Sequence, residues 1–325
     1  MSDSKPKIFV TRLIPENGLK LLEKDFDLKV RRESTPIPRN ELLAEIKDCD
    51  WIITILSDKI DAEVMDNAPK LKIISNFAVG IDNIDINEAT KRKIAVGNTP
   101  NVLTQSTAEL ALALIVAVAK RITEGNEIMK ENLFPGWGPM YMLGMELLNK
   151  TVGVIGYGRI GKKLAEMMHK AFNCRIIYVD SSPDTEANPD NLGEKVTLDY
   201  LLENADIISL HVPLFPHTRH LIGEKELKKM KKTAILVNTA RGHIVDEQAL
   251  GNALQNNQIA GAGLDVFEFE PKRLDGLEKL KNIVMTPHVG SATSEARSQM
   301  AEVAAKNIIG ILIEGQSPIS IVNNL

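Results

Sequence analysis

Near the middle of the chain the run Thr151-Val152-Gly153-Val154-Ile155 leads into Gly156-Tyr157-Gly158-Arg159-Ile160-Gly161, and a second apolar run, Arg175 to Val179, ends on Asp180. Between them, Arg159 to Phe172 puts Ile160, Leu164, Met167 and Met168 on one helical face. This is a strand, tight turn, helix, strand and acid in order. Glycines so spaced let the main chain turn sharply and approach an anion at a helix N-terminus. The spacing therefore predicts a dinucleotide-binding unit, its pyrophosphate lying on Gly156, Tyr157, Gly158, Arg159, Ile160 and Gly161; an ordinary structural turn is the alternative. A carboxylate at Asp180 accepts from both ribose hydroxyls and repels a 2′-phosphate, and no Arg follows it in Ser181-Ser182-Pro183. The expected cofactor is NAD rather than NADP.

The turn has an α/β unit on either side of it. Ahead of it strand and helix already alternate: Lys7 to Val10 then Gly18 to Glu23, Trp51 to Ile55 then Ala62 to Asn67, Leu71 to Ser75 then Ile86 to Lys91. Such alternation predicts a parallel sheet covered by helices. An apolar helix is expected from Asn101 to Arg121, then an extended arm over Glu124 to Leu148, too broken for a helix, with Pro135-Gly136-Trp137-Gly138-Pro139 at its tip. Strands at Thr151, Arg175, Ile207, Thr233, Gly261 and Ile283 supply a second sheet of six, and a helix from Glu295 to Gly310 follows. The fold class is α/β, with two doubly wound parallel-sheet domains, the second of them a Rossmann domain. The expected division is 1–99 with 290–325 as one domain and 100–289 as the other.

Composition removes several partner classes. A net charge of −4, with lysines interleaved among acids, leaves no basic footprint for nucleic acid. The longest greasy stretch, Leu110 to Ala119, is about ten residues, too few to span a bilayer. No apolar leader core lies in Met1 to Lys5, so a cytoplasmic protein is expected. Cys49 and Cys174 stand without CxxC or His-spaced partners, so neither a disulfide framework nor a metal site is indicated.

Open α/β sheets bind ligands beyond the carboxyl ends of their strands. Those ends here read His211-Val212-Pro213-Leu214, Asn238-Thr239-Ala240-Arg241-Gly242, Asp265-Val266-Phe267-Glu268-Phe269-Glu270-Pro271 and Pro287-His288-Val289-Gly290. Charge and imidazole gather along one edge. With Asn98-Thr99-Pro100 and Ser291-Ala292-Thr293, these runs resemble the D-isomer-specific 2-hydroxyacid dehydrogenases over nearly the whole chain. Ile8-Phe9-Val10-Thr11-Arg12 and Ala78-Val79-Gly80-Ile81-Asp82-Asn83-Ile84-Asp85 look most like the glyoxylate and hydroxypyruvate reductases of that family.

The resemblance implies Arg241, Glu270 and His288 as the catalytic set. It also implies cofactor contacts from Thr107, His211, Val212, Pro213, Thr218, Thr239, Ala240, Arg241, Asp265, His288, Gly290 and Ser291, and substrate contacts from Leu56, Ser57, Val79, Gly80, Arg241 and His288. The domain holding residues 1–99 becomes the substrate-binding lid, and 122–148 becomes a dimerisation arm whose Trp137, Met140 and Tyr141 reach the active site of a neighbouring subunit; packing of the arm on its own domain is the alternative. The implied partners are a small 2-oxo acid and a second copy of the chain. The chemistry agrees: reducing a 2-oxo acid needs a hydride, a cation for the carboxylate and an acid for the forming alkoxide. Arg241 offers a planar fork for carboxylate, His288 an imidazole that titrates near working pH, and Glu270 a carboxylate to fix that ring.

A solvated strand-end cation, one acid among three and a turn residue are the plain alternatives for Arg241, Glu270 and His288. Glu268 reads as a surface acid, and His169, His217 and His220 as exposed. Relatives acting on 3-phosphoglycerate place arginine where this chain has Leu56, and phosphite-oxidising ones place lysine at Val79, so neither branch fits. A dehydrogenase for a lactate-like or branched D-2-hydroxy acid and an NAD-sensing corepressor-like protein are the competing readings.

Overall fold

The computed structural model describes residues 5–183, 192–312 and 318–323. The reading of Met1 to Ser4 lies outside them. The chain divides into two compact units, Met1–Leu103 with Ser291–Leu325, and Thr104–Gly290.

In the first unit, β1 (Lys7–Val10), β2 (Asp27–Val30), β3 (Trp51–Thr54), β4 (Ile73–Asn76) and β5 (Ala95–Gly97) form a parallel sheet in the order β2-β1-β3-β4-β5. Every residue of β3 and β4 is buried, as strands covered on both faces must be, so they read as apolar runs rather than alternations. The pleat sorts them: Ile8, Val10, Trp51 and Ile53 face one core, Phe9, Ile52 and Ile74 the other. The first core is completed by Met300, Ala301, Ala304 and Ile308 from the closing helix, Ser294–Leu312. β2 escapes a sequence reading because it is a half-exposed edge strand carrying Asp27 and Lys29, and β5 because it has only three residues.

The second unit contains β6 (Thr151–Ile155), β7 (Arg175–Val179), β8 (Glu194–Lys195), β9 (Ile207–Leu210), β10 (Ile235–Asn238), β11 (Gly261–Leu264) and β12 (Ile283–Met285), ordered β12-β11-β10-β9-β6-β7-β8 and parallel throughout. Strand order reverses between β6 and β9, the switch point at which doubly wound sheets bind ligands. The expected six strands are present, with β10 starting at Ile235 instead of Thr233. A seventh, β8, is an exposed two-residue edge that no periodicity reveals.

Two local expectations need correction. The helix expected over Asn101 to Arg121 runs from Thr104 to Ala119, because Asn101 (φ 73°) and Arg121 (φ 53°) are both left-handed and cannot continue it. The arm is not extended from Glu124: Ile122–Lys130 is a helix, joined at its start by Arg121, whose guanidinium donates to both Glu124 oxygens at 2.8 and 2.9 Å. No described helix is long and apolar enough to cross a membrane.

Candidate active site

The glycine turn joins β6 to the helix Arg159–Phe172, and its three glycines are required for different reasons. Gly156 has φ 93°, and a Cβ there would lie 2.7 Å from the His211 carbonyl carbon, so it lets β6 and the end of β9 pass closely. At Gly161 a Cβ would meet the Gly156 carbonyl oxygen at 2.3 Å, which fixes the helix against the turn. At Gly158 it would meet no protein atom within 4 Å. That open space at a helix N-terminus is where a pyrophosphate fits, with the backbone free to approach it.

Around this turn the other expected cofactor residues divide into those already engaged within the chain and those left open. Asp180 Oδ2 accepts from the Tyr157 amide at 2.6 Å and Oδ1 from the Ser182 amide at 2.8 Å, which sets the acid at the edge of the turn. Tyr157 is buried and stacks on Tyr178 with ring centroids 4.0 Å apart. Arg159 is exposed and Ile160 half-buried at the start of the helix. His211 pairs with Ser209 Oγ at 2.9 Å, and burial pushes its imidazole down to about 4. Val212 is half-buried and Pro213 exposed. The Thr218 hydroxyl is committed within the turn that follows, donating to the Pro213 carbonyl and accepting the Phe215 amide, each at 2.7 Å. Thr107 Oγ1 donates to the Gly290 carbonyl at 3.2 Å. The Thr239 hydroxyl, by contrast, is buried at the end of β10 with no protein partner, an orphaned polar atom beside half-buried Ala240 that a bound dinucleotide can satisfy. Ser291 heads the second segment of the other unit, where its carbonyl accepts from Thr293 and Arg297.

Asp265, at the end of β11, is 1% exposed, and both carboxylate oxygens are used within the chain. They accept from Thr286 Oγ1 at 2.6 Å, the Val289 amide at 2.8 Å and the Gly290 amide at 2.8 Å. Burial raises its pKa against those bonds and the His288 charge. The turn so gripped carries His288, whose φ of 54° is left-handed, a conformation that a non-glycine residue holds only where its surroundings impose it. His288 Nδ1 lies 2.9 Å from Glu270 Oε2, while Glu270 Oε1 accepts the Phe267 amide at 3.0 Å. Burial pushes the Glu270 carboxyl up, but His288, the Phe267 amide and the Arg241 charge outweigh it and hold Glu270 below the usual carboxylate range.

Arg241 follows β10 on a loop fixed by Asn238, whose side chain donates to the Arg241 carbonyl at 2.8 Å and accepts the Ala240 amide at 3.0 Å. Its guanidinium donates to the Ala240 carbonyl at 2.8 Å. Arg241, Glu270 and His288 thus come to one edge from three strand ends, with Glu270 bonded to the imidazole and close enough to Arg241 to respond to its charge.

In the other unit, Leu56 is half-buried and Ser57 exposed on the turn after β3. Val79 and Gly80 follow β4, where Asn98 donates to the Val79 carbonyl and Asn76 to the Gly80 carbonyl, both at 2.8 Å. The Val79 and Gly80 amides take no part in those bonds. A main chain held by its carbonyls in this way can offer its amides to a carboxylate as a backbone nest.

Three features escape the sequence reading: the left-handed His288, the anchoring role of the Asp265 carboxylate, and the burial of Glu268, whose side chain is 8% exposed rather than on the surface. A distant partner creates each of them, and only Asp265, at a strand end, carries a local signal.

A glycine turn at the head of a helix, with an imidazole joined to a carboxylate in the same unit, is the arrangement an NAD-dependent oxidoreductase needs. The profile described as "D-isomer specific 2-hydroxyacid dehydrogenase, NAD binding domain" matches residues 112–290. The chain is 50% identical over 323 residues to the glyoxylate reductase of Thermococcus litoralis, covering 98% of this chain and 97% of that one. It is 47% identical over 323 residues to the glyoxylate reductase of Pyrococcus furiosus, covering 98% and 96%. Among solved structures, the TT0316 protein from Thermus thermophilus superposes with a TM-score of 0.90 at 41% identity, covering 98% of this chain and all (100%) of that one. The chain belongs to the D-isomer specific 2-hydroxyacid dehydrogenase family.

Proposed function

We propose that this protein reduces a small 2-oxo acid to the 2-hydroxy acid, with glyoxylate the first substrate and hydroxypyruvate the second. The observation that carries this reading is the 2.9 Å pairing of His288 with Glu270 next to Arg241, in a chain whose relatives at about half identity are glyoxylate reductases. The Gly156 turn would hold NADH, which would supply the hydride. Arg241 receives the substrate carboxylate in a bidentate fork. His288 donates the proton to the alkoxide oxygen through Nε2, since Nδ1 faces Glu270. Glu270 accepts from Nδ1–H, fixes the ring and balances the imidazolium charge, and the neutral Nδ1–H form is left once Nε2 has given up its proton.

A panel of 2-oxo acids assayed with NADH and with NADPH tests the reading. Glyoxylate with NADH is expected to give the highest kcat/KM; a lactate-type or branched acid in first place, or NADPH equal to NADH, overturns the substrate or cofactor choice. His288→Ala should lower turnover by roughly two to four orders of magnitude with NADH affinity retained. Lost NADH binding with turnover intact reverses the assignment.

A homodimer is proposed on the arm. Leu133, Phe134, Trp137, Met140 and Leu143 are exposed, Trp137 to 85%, a concentration of large apolar side chains that monomers rarely leave in water. Sedimentation should give twice the 35.9 kDa chain mass. A fully active monomer at micromolar concentration rejects the dimer.

A further inference from the structure

Glu268 stands two residues before Glu270 in the loop that leaves β11, and it is gripped from two directions. Its nearly buried carboxylate accepts from Arg219 Nη2 at 3.0 Å and meets His220 Nε2 at 2.7 Å. Both partners close the segment that begins at His211-Val212-Pro213. From the second direction, Gly242, the residue after Arg241, lies flat against the loop: a Cβ there would fall 1.9 Å from the Phe267 carbonyl carbon and 2.4 Å from the Glu268 nitrogen. On a third side lies Glu247, at the head of the helix Glu247–Gln255: it is 3% exposed, neither of its carboxylate oxygens has a hydrogen-bond partner, and burial together with the like charge of Glu268 raises its pKa. Arg273 is the other charged group near Glu247. The same loop provides the Phe267 amide that holds Glu270 Oε1, while Glu270 Oε2 holds His288.

We propose that Glu268 is a positioning residue for this reaction: it pins the Phe267–Glu270 loop so that the Glu270 carboxylate stays on His288. This rests on the reading of Glu270 and His288 given above. The physical reason is that a carboxylate so little hydrated can leave its two donors only by becoming an uncompensated buried charge, so the loop resists displacement. Contact then runs from Arg219 and His220 through Glu268 and Phe267 to Glu270 and the imidazole. Such outer support sets the orientation of a reacting group without touching substrate.

The test compares Glu268→Gln and Arg219→Ala with the parent and with His288→Ala, reading kcat, NADH affinity by fluorescence, melting temperature and the pH profile of kcat/KM with glyoxylate. Glu268→Gln should lower kcat about tenfold and Arg219→Ala about threefold, with NADH affinity within about twofold. Because pairing with His288 holds Glu270 below its ordinary value, loosening the pair should move the acid limb of the profile upward by about half a unit. Two folded variants with unchanged kcat and limb, beside an inactive His288→Ala, overturn this inference alone. A fall in kcat without movement of the limb also overturns it, since general packing then explains the loss. Should Glu268→Gln fail to fold, Arg219→Ala decides by itself, its arginine side chain being half exposed. Turnover that survives His288→Ala overturns the reading on which the inference stands.

Discussion

The Asp265 carbonyl accepts the His288 amide at 2.8 Å, and the Asp265 carboxylate then takes the amides of Val289 and Gly290 at 2.8 Å each. One strand-end acid therefore holds three successive amides of the turn on which the imidazole is mounted. Asp265→Asn replaces one acceptor oxygen by a donor facing an amide donor. The expected outcome is a loss of about 1–3 kcal/mol in stability by urea unfolding, together with reduced kcat. Unchanged values for both remove Asp265 as the anchor.

The three glycines of the turn should separate stability from binding. Gly156→Ala puts a Cβ against the His211 backbone at a φ of 93°, and should destabilise the fold by about 1–3 kcal/mol. Gly158→Val adds its side chain in open space, and should leave stability within about 0.5 kcal/mol while weakening NADH binding tenfold or more, on the order of the pyrophosphate contact. Melting curves and NADH titrations check both. The reverse pattern removes Gly158 from the cofactor site.

His211 makes a prediction about acid. Its imidazole is pushed by burial from 6.5 to about 4, so the unfolded chain takes up a proton there before the folded chain does. Stability due to its neutral form is complete above pH 6.5 and lost as pH falls toward about 4, amounting to about 3 kcal/mol. Urea midpoints across that window should fall steeply for the parent and less for His211→Gln. Parallel slopes contradict the burial argument.

Neither cysteine should react while the chain is folded. Both are buried, and burial, with the neighbouring Glu45, pushes the Cys49 thiol to about 11, while Cys174 is also raised. A thiol-specific chromophore should titrate no sulfur in buffer and both in denaturant. Rapid labelling of the native protein counts against this.

Much of the architecture is readable because it is written locally. The buried strands announce themselves as apolar runs, and the glycine turn with Asp180 as a spacing. The strand-end rule directs attention to the residues after β10, β11 and β12, and the resemblance picks Arg241, Glu270 and His288 from among them. What is not readable depends either on a single backbone dihedral or on residues far apart in the chain. Arg121 looks like one more helical residue until its left-handed φ and its bonds to Glu124 end one helix and open the next. Glu268 looks like its neighbours in Glu268-Phe269-Glu270 until Arg219 and His220 arrive from 49 and 48 residues away. His288 offers no local hint of its left-handed backbone, because Asp265, at the end of an earlier strand, holds its amide.

The sheet of the first unit is finished by the end of the chain: Asn323 caps the Val96 amide, Val322 donates to the Val96 carbonyl, and the helix Ser294–Leu312 seals one of its faces. A ribosome making this protein emits β1 to β5 roughly two hundred residues before the segment that covers them. The dinucleotide unit, built from one uninterrupted stretch, can fold first, while the nascent N-terminal sheet waits with its greasy side bare. Chaperone engagement during synthesis should therefore concentrate on residues 1–103 and end only when the last helix emerges.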